Sequence, residues 1–179
     1  MTREQLEHII RACATIAEDD DLVVVGSQSI LGQFPDAPDE LLISDEADVY
    51  PRNHPERAEL IDGSIGELSP FHQTFGYYAQ GVGEQTATLP KGWEQRLVPV
   101  RNARTRGATG WCIDVHDLAV SKYAANREKD REFVRALVRH GLITRPTLLE
   151  RLAQTSLDPR LRSLIEGLID RDFGEAGQA

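Results

Sequence analysis

An α/β fold, a mixed sheet flanked by helices with a C-terminal helical extension, is what this 179-residue chain predicts, on three observations. Short apolar or aromatic runs of β type, bounded by Gly, Pro and Asp clusters, recur between residues 22 and 113. Segments with apolar residues at helical spacing stand before and between them, and from His116 onward only the helical period remains. About five strands and three helices are expected ahead of that tail. The division is placed at residue 140, with 1–140 as the sheet domain and 141–179 as the helical extension.

The elements follow in order. Thr2 with Gln5 three residues on is a capping-box signature, and Leu6, Ile9, Ile10, Cys13, Ile16 and Ala17 then recur at helical spacing. The run Glu18-Asp19-Asp20-Asp21 ends this helix. Leu22 to Val25 is an unbroken apolar strand, a pattern that suits burial on both faces. Gly26-Ser27 stops it and leads into a short helix, Gln28 to Gln33. Phe34 to Asp39 is turn-rich, and a second strand runs from about Ser44 to Tyr50 before Pro51 ends it. Asn53 or His54 caps the next helix, with Pro55 near its first turn and Leu60, Ile61, Ile65 and Leu68 on its apolar side. Ser69 to Gln73 is expected as a loop and Thr74 to Ala79 as an aromatic strand. Gln95 to Val100 and Gly110 to Ile113 are two further strands either side of an Arg-rich loop. A helical stretch from His116 through Asp130 and on to Val138, a helix capped by Thr144 and one started by Asp158-Pro159 complete the chain, with fraying after Asp172.

Composition narrows the function classes. At 40% hydrophobic and 27% charged the chain has the balance of an ordinary globular protein, and no apolar run approaches the roughly 20 residues that span a bilayer. The start is an amphipathic helix and no signal peptide. Cys13 and Cys112, the two cysteines, sit in apolar surroundings without metal-type spacing, which fits reduced core residues of a cytoplasmic protein. A net charge of −9 and a pI near 5.0 disfavour a broad electrostatic hold on nucleic acid. Basic residues cluster only locally, at Arg96, Arg101, Arg104 and Arg106 and again from Arg127 to Arg139.

The chemistry concentrates between Leu22 and Tyr50. On a strand, Glu46 and Asp48 project from one face while Ala47 and Val49 turn to the other. Two such acids repel each other, a cost that a divalent cation between them removes. Mg²⁺ takes hard oxygen ligands and commonly uses one or two carboxylates with substrate phosphates. Gly26 and Ser27, leaving a buried strand, offer free backbone N–H groups and a hydroxyl suited to phosphate oxygens.

This order of strand, Gly-Ser, short helix and acid-x-acid strand resembles the core of the DNA polymerase β-like nucleotidyltransferase superfamily. Within it, Ser44-x-Glu46-Ala47-Asp48 is similar to the minimal bacterial nucleotidyltransferases, including DUF6036 proteins and AbiEii- and MenT-type toxins. The usual form there is Thr/Ser-x-Asp-φ-Asp with φ apolar, and Glu46 departs from it. A second motif, Asp117 to Lys122 followed by Arg127-Glu128-Lys129-Asp130, is similar to the helix-borne Lys and R-x-K-D of the same families, with Asn126 where they often carry Gly. On a continuous helix, Lys122 and Asp130 would lie roughly 80° apart around it and about 12 Å apart along it.

The resemblance implies a nucleotidyltransferase-type sheet and transfer of a nucleotidyl group from an NTP. The acceptor would be an RNA (tRNA-like) or a protein, and the enzyme the toxin beside an antitoxin protein. It implies Mg²⁺ or Mn²⁺ held by Glu46 and Asp48, nucleotide contacts from Gly26, Ser27, Ser44 and Lys122, and Glu46, Asp48, Lys122 and Asp130 as the catalytic set. Asp114, with Glu84 behind it, is the candidate third metal carboxylate and equally the N-cap of the following helix. His72 and His116 lack metal-ligand spacing. The competing expectation is a catalytically inactive member of the fold that binds a nucleotide or a partner protein.

Overall fold

The computed structural model describes residues 1–176. They form two compact units, Met1–Ala87 with Arg96–Asp114, and Thr88–Gln95 with the chain from Val115 onward. The sequence places the division at residue 140. In the structure the two helices that follow Asp114 pack with the C-terminal helices instead, because their apolar faces match each other.

The first unit opens with α1, Arg3–Ala17, set by the predicted capping box: Gln5 N–H donates to Thr2 Oγ1 and the Thr2 N–H donates to the Gln5 side chain. Glu18, in left-handed conformation (φ 51), ends it. The acidic run then does something its composition does not suggest. Asp19, 5% exposed, accepts hydrogen bonds from the backbone of Asp21, Asn53 and His54 and from the Asn53 side chain at 2.8–3.2 Å. Burial opposes its ionisation, but these bonds outweigh it and hold the carboxyl below the usual carboxylate range.

Five strands form one mixed sheet in the order β3-β2-β1-β5-β4: β1 Asp21–Val24, β2 Glu46–Pro51, β3 Tyr78–Gly81, β4 Val98–Val100 and β5 Thr109–Cys112. β1 is parallel to β5 and antiparallel to β2, and β2 is parallel to β3. Register fixes the faces. A Cβ on Gly110 would lie 2.3 Å from Ile10 Cδ1, so Gly110 points at α1. Its partner Leu22 shares that face, as do Val24, Cys112, Val49 and Ala47 by alternation and pairing. These residues, with Leu6, Ile9, Ile10 and Cys13 of α1, form a core at 0–1% exposure, each large side chain contributing about 1.5–3 kcal/mol by leaving water. Both cysteines are free and buried, and burial pushes both thiols up.

Between residues 54 and 81 the predicted boundaries move. A 3-10 turn, Pro55–Arg57, precedes α2, Ala58–Ile65, which buries Ile61 and Ile65. Leu60 and Leu68 are exposed, Leu68 lying beyond the helix at φ 63. The expected loop at Ser69 is instead the cap of α3, Pro70–Phe75: Ser69 Oγ accepts from His72 N–H and Pro70 takes the first helical position, where its missing N–H does no harm. Gly76 (φ 74) ends that helix, so β3 starts at Tyr78 rather than Thr74.

The second unit contains α4 Val115–Ala125, α5 Glu128–Arg139, α6 Arg145–Ala153 and α7 Pro159–Ala176. α4 is buried over most of its surface, with Leu118, Ala119, Val120 and Tyr123 at 0–1% exposure. Its polar positions are matched by charge partners: Asp117 lies 3.3 Å from Arg151, and Tyr123 donates to Asp172 at 3.0 Å. The helical stretch is two helices, not one. Asn126 adopts φ 51, the left-handed region, and Arg127 is extended. Asn is the residue that enters this region most readily after Gly, which explains why it stands here. Asn126→Gly should therefore leave stability unchanged or raise it, whereas Asn126→Val should lose about 1–2 kcal/mol in urea unfolding; equal stabilities would show that the break is not conformationally demanding. α7 continues past Asp172 to Ala176, against the expected fraying, and residues 177–179 lie outside the described part.

Candidate active site

Glu46 and Asp48 open β2, half-buried, between the buried Ala47 and Val49. Because Ala47 and Val49 face α1, the two carboxylates share the opposite face of the sheet. Ser44 organises their backbone: its Oγ accepts from Glu46 N–H at 3.2 Å and donates to Glu46 O at 3.3 Å.

The Gly-Ser turn meets this strand directly. Val25 N–H donates to Asp48 O at 2.9 Å, which carries the β1–β2 pairing up to Gly26. Gly26 has φ 58 and ψ −172, a region essentially restricted to glycine. A Cβ there would lie 1.9 Å from Asp48 Oδ2 and 2.9 Å from its Cγ, so the carboxylate occupies the space that the missing side chain leaves. A 3-10 helix, Ser27–Gly32, follows, anchored by Ser29 Oγ donating to Gly26 O at 2.8 Å. The Ser27 hydroxyl, half-buried, has no hydrogen bond among the described residues.

Two neighbours escaped the sequence. Tyr78 pairs in register with Glu46 across β2–β3, and its hydroxyl donates to Glu46 Oε2 at 3.4 Å. Burial, and then the charges of Glu46 and Glu67, push its phenol up to about 12, so it remains a donor at neutral pH. Gln28, 1% exposed, has neither amide atom hydrogen-bonded. Such a group costs about 1–3 kcal/mol and calls for a reason. Its place directly after Ser27 was the available signal; for Tyr78 the signal needs the strand register, which only the folded sheet supplies.

Among the described residues no group of three or more His, Cys, Asp or Glu is placed to hold a metal ion. The Arg-rich loop stands away from the acid pair. Arg104 pairs with Glu4 and lies 3.9 Å from Glu7, both on α1, and Arg11 donates to Arg104 O at 3.1 Å. Arg106 lines a cavity of 380 Å³ with Arg11, Thr15, Asp20, Thr105 and Ala108. That loop feeds the start of β5, where Thr109 pairs with Asp21, whereas Asp48 stands beside Val25, four residues or about 13 Å further along β1. The loop therefore lies on the α1 side, at the other end of the strand from the acid pair, and gives no local reason to favour an RNA acceptor.

The second motif belongs to the second unit. The chain reversal at Asn126 brings Asp130 back onto Lys122, so the two lie 2.9 Å apart rather than a helical turn and more away. Asp130 is fully buried and the Lys122 side chain 10% exposed. Arg127 Nε donates to the other Asp130 oxygen at 2.6 Å, and Lys122 Nζ stands 5.4 Å from the Phe133 ring centre. Burial works against ionisation of Asp130 most strongly, yet the bonds from Arg127 and Lys122 outweigh it and keep the carboxyl below its ordinary range. The arrangement is a cation clamp with one buried carboxylate between two donors.

A mixed sheet whose first strand ends in Gly-Ser against an acid-x-acid strand is the arrangement of a nucleotidyltransferase-type α/β protein. The DUF6036 family, described as nucleotidyltransferase of unknown function, matches residues 4–162, and the chain belongs to that family. No curated protein and no solved structure matches it significantly. No helix among the described residues is long and apolar enough to cross a membrane.

Proposed function

We propose that this protein is a metal-dependent enzyme that transfers a nucleotidyl group from an NTP to a hydroxyl of an RNA (tRNA-like) or protein acceptor. It would then act as the minimal DNA polymerase β-like toxins of the AbiEii and MenT type do, neutralised by an antitoxin. The observation that carries this reading is the Asp48 carboxylate lying in the space left by Gly26. It joins the phosphate-type turn and the acid strand into one surface.

The residues fit a divalent cation. Glu46 and Asp48 supply hard oxygens from one sheet face, and two carboxylates with substrate phosphates are the usual Mg²⁺ set, which Mn²⁺ also accepts. When bound there, the ion neutralises phosphate charge and polarises the phosphoryl group. The protein's own part is positional. Gly26 lets a phosphate approach the backbone, Ser27 donates its hydroxyl to a phosphate oxygen, and Ser44 fixes the backbone from which Glu46 projects. In the second unit, the Lys122 ammonium steered by Asp130 is a compact charge of the kind that binds phosphate.

Asp48→Ala tests the reading. It should keep the fold, since a like-charge neighbour is removed, and abolish Mg²⁺-dependent NTP binding in calorimetry. With α-³²P-labelled NTPs, the wild type should label RNA or protein and Asp48→Ala neither. Growth arrest on induction of the wild type alone would add the toxin role. Unchanged Mg²⁺-NTP affinity in Asp48→Ala would reject the site, and binding without any transfer would favour the inactive, binding-only member.

A further inference from the structure

The two acids of β2 are held by different means. Asp48 has a short side chain packed against Gly26, where the backbone itself limits its position. Glu46 has one more methylene and one more rotatable bond, and holding it in a single arrangement requires a second contact. The neighbouring strand provides one. Tyr78 sits opposite Glu46 in the β2–β3 register, on the same face, and its hydroxyl donates to Glu46 Oε2 at 3.4 Å.

The tyrosine ring is itself clamped. It packs against the His72 ring, centres 4.6 Å apart and planes at 42°. His72 in turn accepts from Leu68 N–H at Nδ1 (3.0 Å), while its own N–H donates to Ser69 Oγ at 3.1 Å. The N-terminal turn of α3 thereby fixes His72, His72 limits Tyr78, and Tyr78 reaches the carboxylate.

We propose that Tyr78 is a positioning residue that orients the Glu46 carboxylate for the cation, acting through Glu46 and touching neither metal nor nucleotide. The inference rests on the two-carboxylate reading above. A glutamate needs this contact, whereas an aspartate at position 46 would stop one methylene short of the hydroxyl and be placed by its own short tether.

The experiment is a double-mutant cycle on the full chain, read by calorimetry with ATP, GTP, CTP and UTP separately, each with and without Mg²⁺. Tyr78→Phe keeps the ring and removes the hydroxyl. It should weaken Mg²⁺-supported binding about fivefold to tenfold, as expected for a long hydrogen bond to a charged group, with metal-free NTP binding unchanged. In the Glu46→Asp background the same substitution should change affinity by less than about twofold. An equal loss in both backgrounds would make Tyr78 merely structural, and no loss beside intact Mg²⁺-dependent binding would remove its role; either overturns the proposal. Failure of the wild type to bind any of the four nucleotides with Mg²⁺ would overturn the two-carboxylate reading itself, and this inference with it.

Discussion

Gly26→Ala should abolish Mg²⁺-dependent nucleotide binding and destabilise the protein, and both effects have one source. The backbone at φ 58, ψ −172 disfavours any Cβ, which costs on the order of 1–3 kcal/mol. The new methyl group would also stand 1.9 Å from Asp48 Oδ2, far inside contact distance. The cheapest relief is rotation of the Asp48 carboxylate, which dismantles the acid pair before it unfolds the sheet. Chemical unfolding of Gly26→Ala in the wild-type and Asp48→Ala backgrounds separates the two costs. The destabilisation should be smaller when Asp48 is already truncated, leaving mainly the backbone strain. Equal destabilisation in both backgrounds would mean that Gly26 and Asp48 do not share the space described.

Asp130→Ala should be the most destabilising single change in the second unit. It strips a buried ammonium, Lys122, of the carboxylate 2.9 Å away and removes the acceptor that Arg127 holds at 2.6 Å. Breaking a buried ion pair from one side costs about 3–5 kcal/mol. Lys122→Met should cost less, because Arg127 still holds Asp130 at 2.6 Å and the methionine keeps most of the packing on Phe133. Urea midpoints for the two variants give the order, and an Asp130→Ala loss below about 0.5 kcal/mol, the range of an ordinary surface change, would contradict the burial of the clamp. The pH dependence has a defined sign. Asp130 and Asp19 both titrate below the unfolded value near 4, so their stabilisation is present above it. It is lost as pH falls through the lower folded values. Stability should therefore drop on acidification below about pH 4, and the acid-side slope should flatten in Asp130→Asn.

How much could be known from residues alone differs along the chain. Local signals determined the start of α1, because Thr2 and Gln5 act within one turn, and they determined the alternation that puts Glu46 and Asp48 on one face, because strand geometry requires it. The presence of five strands was legible in their apolar runs and turn residues, and the Gly-Ser and acid-x-acid phrases are local sequence features from which the candidate site is proposed. What the tertiary structure decided depends on pairing and on chain reversal. The seating of the Asp48 carboxylate in the space that a Gly26 Cβ would fill exists only because β1 and β2 are antiparallel neighbours, and Tyr78 reaches Glu46 only through the β2–β3 register. The helical stretch through Asp130 breaks at Asn126, since a left-handed residue costs little when it lets a buried lysine and a buried aspartate meet. The arginine loop, close to Asp114 in sequence, lies at the far end of β5, because a strand separates its two ends in space by its own length.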